Sequence, residues 1–178
     1  MQLHLVRRSV WLACGALLLA PAIGMLVSDE VNWGPEDFLL AALLLGAVAV
    51  VFELAVRASS SLAYRLASML TVLGSVVLIA GNAAVGIVGN EGNPINRWFV
   101  MVPIMGLVAA LWAKFEPAGM SRALLAMAVA QVVASVMVFV LSGAYTFVLM
   151  CVFAAVWLCA AELFRKAAAE PEADRSLD

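Results

Sequence analysis

Long apolar runs separated by short polar segments dominate the sequence. Residues 123–161 contain no charged side chain. As one helix this stretch would be ~58 Å long at ~1.5 Å per residue, nearly twice the hydrocarbon thickness of a bilayer. It must therefore turn back on itself, and the small and polar residues of Ser142–Thr146 mark the place for the turn.

The whole pattern predicts six membrane-spanning helices. The predicted spans cover residues 9–27, 38–56, 66–88, 98–113, 123–141 and 147–164. They approach the ~20 apolar residues that one crossing needs, although the fourth is short. We therefore expect an all-α, polytopic membrane helical bundle that forms a single domain over residues 1–166. Residues 167–178 predict a short disordered cytoplasmic tail.

The first span also has features of a signal peptide. Arg7 and Arg8 precede the apolar run, and Ala20-Pro21-Ala22 offers small residues around a cleavage point. The apolar run continues beyond that point, through Val27. This continuation favours a retained first helix over a cleaved leader.

Composition supports a membrane protein. Hydrophobic residues make up 66% of the chain, charged residues make up 12%, and the mean hydropathy is +1.07. These values lie outside the usual range of soluble domains. The formal net charge of -2 provides no basic stripe for a phosphate backbone, so nucleic acid is not expected as a partner.

Candidate cofactor ligands are scarce. Cys14, Cys151 and Cys159 lie inside apolar runs and form no CxxC pair, so we expect them to pack as small hydrophobic residues. His4 is the single histidine and cannot supply the pair of ligands that a b-type haem needs. The sequence predicts neither a metal site nor a cofactor.

Basic residues predict the orientation of the bundle. With six spans, nine Lys and Arg residues fall on one side of the membrane and Arg97 alone falls on the other. Under the positive-inside rule both termini are then cytoplasmic. The nine residues are Arg7, Arg8, Arg57, Arg65, Lys114, Arg122, Arg165, Lys166 and Arg175.

Glu53 is the most unusual residue of the spans, because an acid within a membrane helix is costly. It lies ~5 Å from the inner end of the second span at Val56, with Arg57 four residues later on the same helical face. The spacing favours an ion pair at the interface. A proton or cation site is the alternative.

Three further polar residues lie within the spans. Ser75 and Gln131 have the same predicted depth, which predicts a hydrogen bond between the third and fifth helices. Asn82 lies nearer the outer end of the third span. We expect these groups to hold helices together, with a solute pathway as the alternative.

The outer loop Gly89–Arg97 is the longest polar interruption in the middle of the chain. Asn93-Pro94-Ile95-Asn96 invites comparison with water channels, but those need two Asn-Pro copies at mid-membrane and this chain has one, in a loop. We expect an Asn-Pro turn in which Asn96 caps the fourth helix. Arg97 is expected to pair with Glu91 or with the acidic loop 28–37. The candidate contact residues of this loop are Glu91, Asn93, Asn96 and Arg97.

Two short motifs resemble those of a group of small bacterial inner-membrane proteins. Gly86–Asn96 contains Gly-x-Glu-x-Asn-Pro-x-Asn, and Glu116–Ala123 contains Pro-x-Gly-Met-x-Arg-Ala. The resemblance implies a multi-pass protein of the bacterial inner membrane. It implies no activity, because none is known for the group.

No residue pattern in the sequence predicts catalysis. Without a nucleophile and base or a cluster of metal ligands, we do not expect an enzyme. Small loops and helix faces rich in small residues favour a non-catalytic accessory or interaction component that contacts the bilayer and another membrane protein or a second copy. The alternative is a small transporter or channel that uses Glu53, Asn82 and Gln131.

Overall fold

The computed structural model describes residues 2–28 and 31–170, and the side chains of residues 5–28 and 31–170. Over these ranges the chain is all-helical, and six segments are long and apolar enough to cross a membrane, the fourth together with the short 3-10 turn Pro94–Asn96. The predicted fold class is confirmed. The helices are α1 (Gln2–Val27), α2 (Pro35–Ala58), α3 (Leu62–Val85), α4 (Arg97–Trp112), α5 (Pro117–Ser142) and α6 (Phe147–Ala169).

Local chemistry explains where the helices end. Ser61 accepts a hydrogen bond from the Tyr64 amide (3.1 Å) and so caps the start of α3. α3 ends at Val85, three residues before the predicted boundary, because Gly86 has φ +71° and leaves the helical region. Gly143 has φ +70° and ends α5 inside the predicted turn between the last two helices.

The core of the bundle lies among α3, α4, α5 and α6. α6 packs against both α3 and α5, and α5 also packs against α4. Trp157, Phe164 and Phe99 are completely buried in this core. A Cβ added to Gly74 would lie 2.9 Å from the Trp157 ring, so this glycine allows the indole to lie against the α3 backbone.

The first two helices form the periphery. α2 packs on α3, and α1 packs extensively on α2. None of the residues of α1 from Leu5 to Val27 is buried. The chain thus consists of a four-helix core with α2 attached to its side and α1 attached to α2.

Candidate functional sites in the membrane

Glu53 lies between two arginines near the end of α2. Nε of Arg57 donates to Oε1 of Glu53 (2.7 Å), which confirms the predicted pair. Nε of Arg7, on α1, donates to Oε2 (2.7 Å), and a second nitrogen of Arg7 contacts Oε1. Both carboxylate oxygens are therefore engaged by guanidinium groups, and the ion pair with Arg7 joins α1 to α2.

Arg7 is not among the partners predicted for Glu53. The order of the helices could have indicated this pair, because consecutive antiparallel spans bring the beginning of α1 and the end of α2 to the same end of the bundle. The Glu53 side chain is only 16% exposed and has two cationic partners. This geometry favours a structural ion-pair cluster over a carboxylate that exchanges protons or cations.

Gln131 is completely buried at the interface between α5 and α6. Its Nε2 donates to Sδ of Met150 (2.8 Å), and its Oε1 accepts from Nε1 of Trp157 (3.3 Å). Ser75 instead donates to the carbonyl oxygen of Thr71 (2.9 Å). The predicted hydrogen bond between Gln131 and Ser75 is therefore wrong. Two residues at the same depth in the membrane need not be in contact, and both partners of Gln131 lie on α6.

A second polar contact lies nearer the turn between α5 and α6. The hydroxyl groups of Ser135 and Thr146 are 2.9 Å apart, and both residues are buried. Together with Gln131, these residues connect the last two helices at two depths. The expectation that polar side chains hold helices together is met here, although between α5 and α6 instead of α3 and α5.

Asn82 lies in the last turn of α3 and is 8% exposed. Its carboxamide oxygen is buried and has no hydrogen-bond partner among the described residues. Asn82 lines neither of the two principal cavities, and neither does Gln131, whereas Glu53 lines one of them. The three residues proposed for a solute pathway therefore do not meet in either of these two cavities.

An apolar groove of about 300 Å³ lies among α2, α3, α4 and α5. Tyr64 of α3 lines it with a phenol that donates to the carbonyl of Phe115 (3.0 Å), and further along α3 lie three aliphatic hydroxyl groups, those of Ser68, Thr71 and Ser75. Each donates to the carbonyl four residues earlier, over 2.8–2.9 Å. With their hydrogens used inside the helix, the groove offers hydrocarbon and a few acceptor lone pairs, a lining that favours an apolar chain over a hydrated ion.

The outer loop is organised around Asn96, which is 2% exposed. Its Oδ1 accepts from the amides of Ile87 (3.2 Å) and Val88 (2.8 Å). Its Nδ2 donates to the carbonyls of Val88 (3.3 Å) and Asn90 (2.8 Å). The side chain makes no cap bond to α4, so the predicted cap is wrong: the loop folds back over Asn96 and uses all of its polar atoms.

The remaining contact residues of the outer loop have separate roles. Asn93 accepts from the amide of Ile95 (3.1 Å) and caps the 3-10 turn. Arg97 and Glu91 are both exposed, and no ion pair joins them. Part of the acidic loop suggested as the other partner of Arg97, residues 29–30, lies outside the described residues.

The thiols do not pack as expected. Cys151 and Cys159 are exposed on the outside of α6, and Cys14 is half-buried. The two cysteines of α6 therefore face the bilayer and not the core. Over residues 2–28 and 31–170, no group of three or more His, Cys, Asp or Glu side chains is arranged to hold a metal ion.

Over the described residues the fold defines an integral membrane protein with six helical spans, in which Glu53, Gln131 and the Ser135–Thr146 pair join neighbouring elements. No protein-family model matches the chain, and no curated protein or solved structure shows significant similarity to it. Its function is therefore inferred from its own residues.

Proposed function

We propose that the protein is a non-catalytic interaction component of a bacterial inner membrane. In this proposal both termini are cytoplasmic, and the partner is another membrane protein or a second copy of the chain. The charge distribution and the resemblance of the two loop motifs support the location. The observation that carries the interaction role is the outward face of α1.

Leucine recurs every seventh residue along that face. Leu5, Leu12, Leu19 and Leu26 are 60%, 73%, 61% and 85% exposed. Three further exposed residues lie between them at alternating spacings of four and three. We call the complete set the α1 seam, and it consists of Leu5, Ser9, Leu12, Ala16, Leu19, Ile23 and Leu26.

The α1 seam lies opposite the face that contacts α2. The half-buried residues of α1 include Arg7, Val10, Cys14 and Leu18, which share one side of the helix. At ~3.6 residues per turn, the seam residues are centred on the other side, about half a turn away. The contact with α2 therefore leaves the seam available to a further helix.

The spacing of the seam fits a partner helix better than it fits lipid alone. Apolar residues that alternate at three and four positions form the contact stripe of left-handed helix pairs, in which side chains insert between those of the partner. Ser9 and Ala16 would let the backbones approach closely. The preferred partner is therefore a transmembrane helix with the same periodicity.

Site-specific photocrosslinking in native membranes tests this role. A photoreactive amino acid at Leu19 is expected to give a discrete crosslinked product. The matched control is Val77 on α3, which has nearly the same exposure (60% against 61%) but lies on another helix. The double variant Leu19→Ala/Leu26→Ala is expected to reduce co-purification of the crosslinked partner in mild detergent. Equal, diffuse crosslinking from both positions, with a protein that purifies alone, would contradict the proposal.

The alternative function is a small transporter or channel. It requires Glu53, Asn82 and Gln131 to act along one path, whereas Glu53 is held by two arginines and Gln131 by α6. Purified protein reconstituted into liposomes separates the two functions. Solute flux that Gln131→Leu abolishes, without loss of folded protein, would favour the transporter.

A further inference from the structure

A cleft with an excess of positive charge lies between the beginning of α1 and the end of α2. It has a volume of about 780 Å³ and is open to the outside. Three guanidinium groups and a single carboxylate are part of its lining. The lining residues are Arg7, Arg8, Trp11, Leu12, Glu53 and Arg57.

We infer that this cleft binds the phosphodiester of an anionic phospholipid headgroup. The cleft lies where the apolar stretch of α1 begins, at Leu5, and where α2 ends, at Ala58. This places it at the boundary between hydrocarbon and water, the depth of the lipid phosphates. Basic residues at this depth attract anionic lipids.

Glu53 orients two of the arginines for such a ligand. It engages Nε and one terminal nitrogen of both Arg7 and Arg57. A guanidinium group has N–H donors on three nitrogens, so the second terminal nitrogen of each arginine is not used by Glu53. The carboxylate thereby fixes two planar donor groups without consuming them, and phosphate oxygens match the remaining N–H geometry.

Arg8 supplies the charge that Glu53 does not balance. It is exposed, lines the cleft and makes no ion pair with a carboxylate in the part of the chain that the structure describes. Three cationic side chains against one anionic side chain leave the cleft with two uncompensated positive charges. A headgroup with a net negative charge, such as phosphatidylglycerol, is therefore favoured over a zwitterionic one.

The apolar lining favours a lipid over free phosphate. Trp11 is 50% exposed and Leu12 is 73% exposed, both on the α1 side of the cleft. Tryptophan is enriched at the headgroup level, where its ring contacts apolar groups and its N–H contacts polar groups. The two side chains provide a surface for the glycerol and the first methylene groups, which inorganic phosphate lacks.

The cleft shares Leu12 with the α1 seam, but its arginines lie outside the seam, and a lipid titration tests the inference separately from the partner helix. The full chain, labelled with 5-fluorotryptophan, is placed in phosphatidylcholine nanodiscs, and phosphatidylglycerol is introduced in steps. We expect the fluorine resonance of Trp11, assigned with Trp11→Phe, to shift and saturate. Trp112 is 87% exposed at the same end of the bundle and reports the general effect of the lipid.

Two variants at the cleft and one control make the test specific. Arg8→Gln is expected to weaken the apparent affinity for phosphatidylglycerol about five-fold, the effect of one basic residue near an anionic surface. Arg57→Lys keeps the charge but removes the planar donor group, and should also weaken binding. The control Arg122→Gln removes an exposed arginine at the same end of the bundle, on α5, and should leave the affinity unchanged.

The outcomes separate the sources of phosphate. A Trp11 resonance that does not respond to phosphatidylglycerol, or an equal loss of affinity in Arg122→Gln, would overturn the inference. A full shift with inorganic phosphate alone, in phosphatidylcholine nanodiscs, would support a phosphate site but overturn the lipid headgroup as its ligand.

Discussion

Trp157 donates its indole N–H to the carboxamide oxygen of Gln131 over 3.3 Å, and both side chains are completely inaccessible. The bond crosses the interface between α5 and α6. An indole N–H without a partner in this setting would carry the full cost of its desolvation. The pair therefore supports the contact between the last two helices.

Replacing Gln131 tests this contact. Gln131→Leu leaves the Trp157 N–H without an acceptor and should lower the free energy of unfolding by about 1–2 kcal/mol. Unfolding by titration with a denaturing detergent measures the change. If the bond matters, Trp157→Phe should cost less in the Gln131→Leu background than in the native protein. Purely additive losses would show that the two side chains are not coupled.

The close approach of α4 and α5 depends on Gly106. A Cβ at this position would overlap Sδ of Met127, which is itself buried. Gly106→Ala should therefore lower the free energy of unfolding by about 1 kcal/mol, the low end of the usual cost of overpacking, because the overlapping atoms are the end of a flexible side chain beside the groove. Gly46→Ala on α2 is the matched control, because nothing lies within 4 Å of its added Cβ. The same loss in both variants would mean that the cost is not steric.

Met127→Ala offers a second test of the same contact. It creates space beside Gly106, so combining it with Gly106→Ala should recover part of the stability lost through overlap. Thermal unfolding of the two single variants and the double variant gives the interaction energy. A double variant less stable than the sum of the single losses predicts would count against direct overlap.

Asn96 should control the order of the outer loop. Asn96→Ala removes the acceptor of the part-buried Ile87 and Val88 amides, a loss of about 1 kcal/mol per hydrogen bond. Hydrogen exchange of these two amides should then accelerate about ten-fold or more. Asn93→Ala removes only the bond to Ile95 and should leave both amides protected. Unchanged exchange in Asn96→Ala would mean that backbone contacts alone hold the loop.

The proposed orientation is open to cysteine labelling. In a background without the three native cysteines, Glu91→Cys should react with a membrane-impermeant maleimide from outside intact cells. Ala118→Cys, at the opposite end of the bundle beside the start of α5, should react only after the cells are permeabilised. Both residues are exposed, so accessibility within the fold does not separate them. The reverse labelling pattern would invert the orientation.

The sequence predicts most of the fold because crossing a bilayer imposes a simple length requirement. Apolar runs alone identify six helices and the turn before Thr146. The pair of Glu53 and Arg57 is also predictable, because both residues lie on one helix at a fixed spacing of four. Features that depend on one helix have a direct signal in the sequence.

Contacts between helices have no such signal. Depth alone predicts the wrong partner for Gln131, because it does not reveal that α6 lies beside α5 at that level. The position of Asn96 before α4 predicts a cap, but the preceding loop provides its hydrogen-bond partners instead. Leucine at every seventh residue of α1 is visible in the sequence, but its position opposite α2 needs the packed structure.

The peripheral position of α1 also bears on how the protein is made. α1 is synthesised first, but its packing partner α2 follows it, and the core helices come later still. α1 must therefore persist in the bilayer as an independent span, stabilised by its own apolar length. Since its extensive contacts are with α2, including the ion pair to Glu53, its docking does not depend on the core helices and can precede their assembly.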